Sequence, residues 1–308
     1  MLFACPAQAR APDARPNAGT AKPMPRATKS TKIAKSENEP VLVSGSGLVN
    51  GPPLTNWYPL NPENLVEFET SKGNFLVELR PEIAPLAVDQ IKVLIRSKIY
   101  DGLLFNRVMG NFIAQSGNPD NLPNGKSQLP NLPAEFTFRI GVDTPHYVAA
   151  APQGETTGFV GNTQYQSVDE KRIFQSPDRR VSAWGAFCSG VMAMGHGIDN
   201  NGGNSEFFIT LNTTRSLDRN FSVVGKVLAG LQTVRSLNVG DPPSDPDKIL
   251  QVRILSDEPI KSRTQVWGLN TSGPEFHNIV QQIRTLKGAD FSVCDVEVPI
   301  LVKLGDIK

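Results

Sequence analysis

The chain has 308 residues, with 31 Lys and Arg against 30 Asp and Glu and 39% hydrophobic residues. This is ordinary for a globular protein with one sizeable core and appendages. A formal net charge of +1 gives no chain-wide attraction to nucleic acid, so no nucleic-acid partner is expected beyond what a local patch could hold. No run approaches the eighteen or so apolar residues that a membrane span needs.

Met1-Leu2-Phe3-Ala4-Cys5-Pro6-Ala7-Gln8-Ala9 ends in small residues at alternate positions, the pattern a signal peptidase reads, but lacks the basic and long apolar stretches that normally precede it. A signal's tail is the expectation and an Ala-rich start without meaning the alternative; Leu2 to Cys5 is a lipoprotein-like box that Phe3 fits poorly. An exported, periplasmic protein follows from the first reading, a cytoplasmic one from the second. Between Arg10 and about Asn56 the chain is rich in Pro, Ala, Lys, Ser and Gly, with seven basic residues against Asp13, Glu37 and Glu39. Too few side chains there can bury apolar surface to offset the entropy of ordering, so residues 1–56 are predicted to be disordered.

Leu65 to Thr70, a turn at Ser71 to Asn74, and Phe75 to Leu79 predict a hairpin. Pro85 suits the first turn of a helix, and Val88, Ile91, Leu94 and Ile95 follow at helical spacing. Next, Phe105 to Gly117 sets Arg107 and Gln115 among apolar side chains. Strand alternation with a bend near Gly110 lets Arg107, Phe112, Ile113 and Gln115 share one wall, which suits an amide ligand. A long polar loop is expected over about 139–185, with His146, Tyr165, Arg172, Arg179 and Arg180; it would extend or shield a groove, or sit idle on the surface. Gly190 to Gly197 then leads through a Gly/Asn-rich turn into Asn204 to Thr210. Val227 to Leu237 predicts a helix with Leu231, Val234 and Leu228 inward.

Beyond residue 256, Thr264 to Leu269 predicts a strand. Phe276, Ile279, Val280, Ile283 and Leu286 predict a helix behind Ser272-Gly273-Pro274-Glu275. Phe291 to Val302 is expected as a strand whose apolar phase shifts near Cys294 and Asp295, as at a bulge. Residues 257–308 thus form a small α+β extension, expected to pack on the main domain or on another copy. Cys188 and Cys294 are expected as free buried thiols, with pairing in an oxidising compartment as the alternative. Three scattered cysteines and three histidines make no metal site, and no metal or cofactor is expected.

Several ordered blocks carry a resemblance. Tyr100 to Val108 is similar to a YDG…FHRV segment with Asn106 in the histidine's place, and Phe112 to Gly117 to FMIQGG. Gly190 to Met194 is similar to GxLxM, Ser205 to Ile209 to SQFFI, and Leu217-Asp218 with Val223 to Val227 to LD…VFGKV. In order and spacing the series resembles the cyclophilins over roughly 61–256. The resemblance implies a mainly β domain over 57–256, an eight-stranded antiparallel β-barrel capped by two helices. It also implies peptidyl-prolyl cis–trans isomerase activity on proline-containing polypeptides, assisting protein folding, with Arg107 and Gln115 catalytic. Phe112, Ile113, Gly195, His196, Phe208, Leu217 and Phe221 would then line the substrate groove. Without the motif series, Arg107 would read as a salt-bridge partner and the phenylalanines as core. Ser216 stands where many members have the tryptophan that contacts cyclosporin, and Phe221 where a groove histidine is usual, so weak cyclosporin binding is expected. Ser116, Asn118 and Glu206 also depart from the pattern and alter the polarity near Gln115. The alternatives are a catalytically weak chaperone or peptide-binding module, and a structural subunit that oligomerises through its extension.

Overall fold

A computed structural model describes residues 41–43, 54–117, 127–152 and 154–303. The signal-like residues 1–9, Asn118 and most of the segment read as disordered lie outside the described residues. The strands and helices in chain order are β1 (Val41–Val43), β2 (Trp57–Pro59), β3 (Leu65–Thr70), β4 (Gly73–Leu79), α1 (Pro85–Arg96), β5 (Arg107–Met109), β6 (Ile113–Ser116) and β7 (Phe138–Gly141). They continue with β8 (Tyr147–Ala150), β9 (Glu155–Val160), β10 (Thr163–Val168), β11 (Arg180–Gly185), β12 (Val191–Met194), β13 (Phe207–Thr210) and β14 (Val223–Ala229). The last are α2 (Leu231–Arg235), β15 (Ile249–Ile254), β16 (Gln265–Leu269), α3 (Pro274–Lys287) and β17 (Ile300–Lys303).

Eight antiparallel strands in the order β15-β3-β4-β14-β12-β13-β6-β5 make the main sheet. Its two edges meet before β5 and β15: the Gly102 and Phe105 N–H groups donate to the Ile249 and Asp247 carbonyls at 2.8 and 2.9 Å, and the Ile249 N–H donates back to Leu103 at 2.8 Å. The sheet therefore curls into the expected barrel. Alternation fills its interior with Phe68, Phe75, Val108, Ala114, Met192, Phe207 and Ile209. Phe68 and Phe75 face each other across the opening hairpin and stack with centroids 4.6 Å apart. Val88, Ile91, Leu94 and Ile95 of α1 join this interior cluster as their spacing requires. The N-terminus of α1 is tied down by Glu135, whose two carboxylate oxygens accept from the Leu86 and Ala87 N–H groups at 3.1 and 2.8 Å.

The helix expected over Val227 to Leu237 is shorter. Strand β14 keeps pairing with β4 as far as Ala229, so only Leu231–Arg235 is helical. Val234 is buried as expected, whereas Leu228 stays on the strand and packs against the small cluster of Leu60, Leu65, Leu76, Leu255, Val266 and Ile300.

The segment expected as a long polar loop is folded. Strands β7 to β11 form a five-stranded antiparallel sheet in the order β7-β11-β10-β9-β8. A second sheet draws on both flanks of the chain, in the order β1-β17-β16-β2. Val41–Val43, inside the segment read as disordered, is thus an edge strand, and Trp57–Pro59 pairs with the C-terminal extension. Helix α3 packs on the five-stranded sheet: Phe276 sets its ring edge-on to Phe159 and to Tyr147 at 5.0 and 5.4 Å, and Arg284 Nη1 donates to the Ala149 carbonyl at 2.8 Å. Leu286, placed by its spacing on the apolar stripe, is exposed instead, because the buried face of α3 holds only Phe276 and Val280 with Ile279 and Ile283 beside them.

Phe291 to Val302 is not one strand. Ser292 Oγ accepts from the Cys294 N–H and Asp295 Oδ2 from the Ser292 N–H, a capping box that winds Val293–Asp295 into a 3-10 turn. That turn causes the phase shift attributed to a bulge. It also delivers Cys294 to Cys188, and the two form a disulfide with Cα atoms 5.1 Å apart, which corrects the expectation of free thiols. A buried lysine joins the barrel, the insertion and the extension: Lys226 Nζ on β14 lies 2.6 Å from both Gln164 Oε1 on β10 and Glu297 Oε2 in the extension. Among the described residues no helix is long and apolar enough to cross a membrane.

Candidate active site

Strand register builds the site. Arg107 on β5 faces Gln115 on β6, Gln115 faces Phe208 on β13, and Phe208 faces Ala193 on β12. Directly opposed residues project to the same side of a sheet, so these four form one cross-strand row on the outer face of the barrel. The adjacent row, Val108, Ala114, Ile209 and Met192, points into the interior. Phe207 likewise points inward, meeting Phe68 and Tyr100, while Phe208 points outward.

A tight turn at Gly110 to Phe112 connects β5 to β6, with the Phe112 N–H donating to the Met109 carbonyl at 3.0 Å. It brings Arg107, Phe112, Ile113 and Gln115 onto one wall. Ile113 and Phe208, 4% and 3% exposed, form the floor. Phe112, Leu217 and Phe221 are half-buried against the same cluster. Phe221 stands edge-on to Phe208 at 5.0 Å. This cluster is continuous with the five-stranded sheet through Phe138, Ile140, Phe159 and Tyr165, so the insertion backs the floor rather than standing off as a loop.

Two aromatic residues around the floor, Phe187 beneath it and Phe136 beside His196, were not singled out as site residues in the sequence. Phe187 is fully buried and stacks on Phe208 at 6.0 Å, and its N–H donates to Asp218 Oδ1 at 2.9 Å, which fixes the turn carrying Leu217. Phe136 stacks on His196 at 5.5 Å. His196 in turn lies 4.6 Å from the Phe221 ring, and its two ring nitrogens each sit 2.8 Å from a backbone carbonyl, those of Gly197 and Asn220. The two carbonyls and the two aromatic rings together fix the orientation of the His196 ring. Gly195 is buried and its N–H donates to the Glu206 carbonyl at 2.7 Å. A Cβ there would meet the Glu206 Cβ at 3.0 Å, so glycine permits the close approach of the two segments.

The polar pair is accessible. The Arg107 side chain is 39% exposed, and its Nε donates to Asp241 Oδ2 at 3.1 Å. Among the described residues its terminal guanidinium nitrogens take no hydrogen bond. Gln115 Nε2 points to Glu206 Oε1 at 3.4 Å, a long contact that a better acceptor can displace. The face therefore offers a cation and an amide donor beside an apolar floor, the complement of an amide bond flanked by a hydrocarbon ring.

Fold and register together define an antiparallel-barrel protein with a cation and an amide side chain set beside an apolar floor on its outer face. The chain belongs to the cyclophilin-type peptidyl-prolyl cis–trans isomerases: the family described as "Cyclophilin type peptidyl-prolyl cis-trans isomerase/CLD" matches residues 65–256. A "Probable peptidyl-prolyl cis-trans isomerase" of Brucella suis biovar 1 (strain 1330) is 29% identical over 213 residues, 64% of this chain and 85% of the relative. "Peptidyl-prolyl cis-trans isomerase-like 1" of Aspergillus oryzae is 25% identical over 197 residues, 62% of this chain and 96% of the relative. The crystal structure of cyclophilin AquaCyp293 from Hirschia baltica superposes with a TM-score of 0.77 at 32% identity, over 82% of this chain and 96% of that one. That likeness takes in more of the chain than residues 65–256.

Proposed function

We propose that Arg107 and Gln115 are the groups by which this isomerase turns X–Pro bonds of polypeptides over the Phe208 floor. Amide resonance sets a barrier of about 18–20 kcal/mol, and the rotation needs no covalent step. It needs a site that binds the twisted amide better than either planar form. Arg107 donates to the prolyl nitrogen, whose lone pair leaves conjugation only in the transition state. Gln115 holds the carbonyl, giving up its long contact to Glu206. Phe112, Leu217 and Phe221 stand around the ring above Ile113 and Phe208 and exclude water, which strengthens the polar contacts.

The observation that carries this reading is the register that sets Arg107, Gln115 and Phe208 side by side on the open face. Isomerisation of a short X–Pro peptide, followed by NMR exchange, should fall about a hundredfold or more in Arg107→Ala, the loss expected for one well-placed transition-state donor. No acceleration by the folded wild type would leave the peptide-binding module in its place.

The Cys188–Cys294 disulfide supports an exported location, because such bonds persist in oxidising compartments and are rare in the cytosol. There the enzyme would assist the folding of exported chains. Alkylation of the protein in fractionated cells checks this: a periplasmic pool with both thiols protected is expected, and a reduced cytoplasmic pool refutes it. Cyclosporin is expected to bind weakly, since exposed Ser216 offers no indole and Phe221 no imidazole. A titration giving an affinity as tight as that of sensitive cyclophilins would overturn that expectation.

A further inference from the structure

Arg107 has a neighbour that none of the sequence blocks contains. The chain between α2 and β15 passes along the free edge of β5, where Val108 and Gly240 exchange both backbone hydrogen bonds, Val108 N–H to Gly240 O at 2.8 Å and Gly240 N–H to Val108 O at 2.9 Å. In an antiparallel bridge of that kind the next pair outward is Arg107 with Asp241, at a position where opposed side chains come closest. Asp241 therefore heads the row that continues through Arg107, Gln115, Phe208 and Ala193.

The segment carrying Asp241 is held at several points. Asp247 Oδ2 accepts from the Asn238 N–H at 2.7 Å, Asp247 Oδ1 from Ser71 Oγ at 2.7 Å, and the Asp245 carbonyl from Asn238 Nδ2 at 2.8 Å. Pro243 folds back so closely on Gly240 that a Cβ there would overlap its backbone. The carboxylate so presented takes Arg107 Nε at 3.1 Å. Nε is the guanidinium nitrogen nearest the side-chain stem, so holding it fixes the rotation of the planar group and leaves the terminal nitrogens for a ligand. With side chains 39% and 61% exposed, the pair does little for the stability of the fold.

We propose that Asp241 is a positioning residue for the isomerisation: it holds the Arg107 guanidinium in register with Gln115, so the donor is in place as the amide twists. This rests on Arg107 being the transition-state donor. A group that acts only by orienting such a donor affects turnover more than ground-state binding, and a small misplacement costs on the order of tenfold or more.

The test compares wild type, Asp241→Asn, Asp241→Glu, Arg107→Ala and the double variant Arg107→Ala/Asp241→Asn. Rates come from NMR exchange, peptide affinity from titration, and folding is checked by circular dichroism. Asp241→Asn is expected to lower kcat about tenfold with peptide Kd unchanged. Asp241→Glu should recover most of that loss, and Asp241→Asn should have no further effect once Arg107 is gone. Wild-type turnover in Asp241→Asn, an equal loss in the Arg107→Ala background, or a weakened Kd at unchanged kcat would each overturn the proposal while Arg107→Ala still collapses the rate. An Arg107→Ala variant as active as wild type would instead remove the donor reading, and the positioning role with it.

Discussion

Phe187 shows how much of the groove depends on residues that no substrate need touch. It is fully buried, stacks on Phe208, and through its N–H fixes the Asp218 carboxylate beside Leu217. Phe187→Ala should cost about 3–5 kcal/mol, the usual range for removing a buried aromatic ring. Because the cavity opens beneath Phe208, substrate affinity should fall as well. Urea unfolding and peptide titration check the two effects, and a variant with an unchanged urea midpoint would show that the site collapses around the loss. That Arg107, Gln115 and Phe208 share a face was legible from local strand alternation, whereas the roles expected of them came only from the resemblance. Phe187 and Asp241 were not: each reaches the row through a turn or an isolated bridge, and nothing local announces such contacts.

At the scale of elements, the five-stranded sheet is the main departure from what the sequence suggested. Its buried positions include Thr156, Thr163, Gln164 and Ser167, so the apolar alternation that marks a strand is diluted. One signal was present. Gly161-Asn162 separates two six-residue strands, a two-residue hairpin turn of a recognised type. The polar residues of this sheet meet at Glu170, which accepts from Tyr165 Oη at 2.6 Å and lies 3.0 Å from His146 Nε2. The hydrogen bond to Glu170 raises the His146 pKa above its ordinary 6.5. Burial alone would raise the Glu170 carboxyl, but hydrogen bonds from His146 and Tyr165 and the histidine's charge hold it below its ordinary 4.5. A raised histidine stabilises fully below its unfolded pKa and loses that contribution as pH rises through the folded one. A lowered carboxyl stabilises above its unfolded pKa and loses its contribution as pH falls. Both operate together between about pH 4.5 and 6.5, so the thermal midpoint should decline as pH rises from 6 to 8. His146→Gln should flatten that decline, and a decline of the same size in the variant would assign it elsewhere.

In the whole molecule, two unlike devices tie the appended sheets to the barrel. One is polar: Lys226, 2% exposed, reaches Gln164 on β10 and Glu297 in the extension with its ammonium, so β14 is committed to both the insertion and the extension. The other is covalent, the disulfide between Cys188, ahead of β12, and Cys294 in the capped turn of the extension. The two cysteines are 106 residues apart in sequence, and a crosslink closing a loop near 100 residues restricts the unfolded chain by up to about 4.7 kcal/mol. Cys294→Ser should therefore lower stability by roughly 2–5 kcal/mol in urea. Dithiothreitol should destabilise the wild type by a similar amount and leave the variant unaffected. The row from Arg107 to Ala193 is set by barrel register and does not include the crosslinked residues, so Cys294→Ser should keep most of its isomerase activity at temperatures where it remains folded. A variant that stays folded but loses turnover would show instead that the extension, pulled in through Cys188 beside Phe187, holds the groove floor in its working shape.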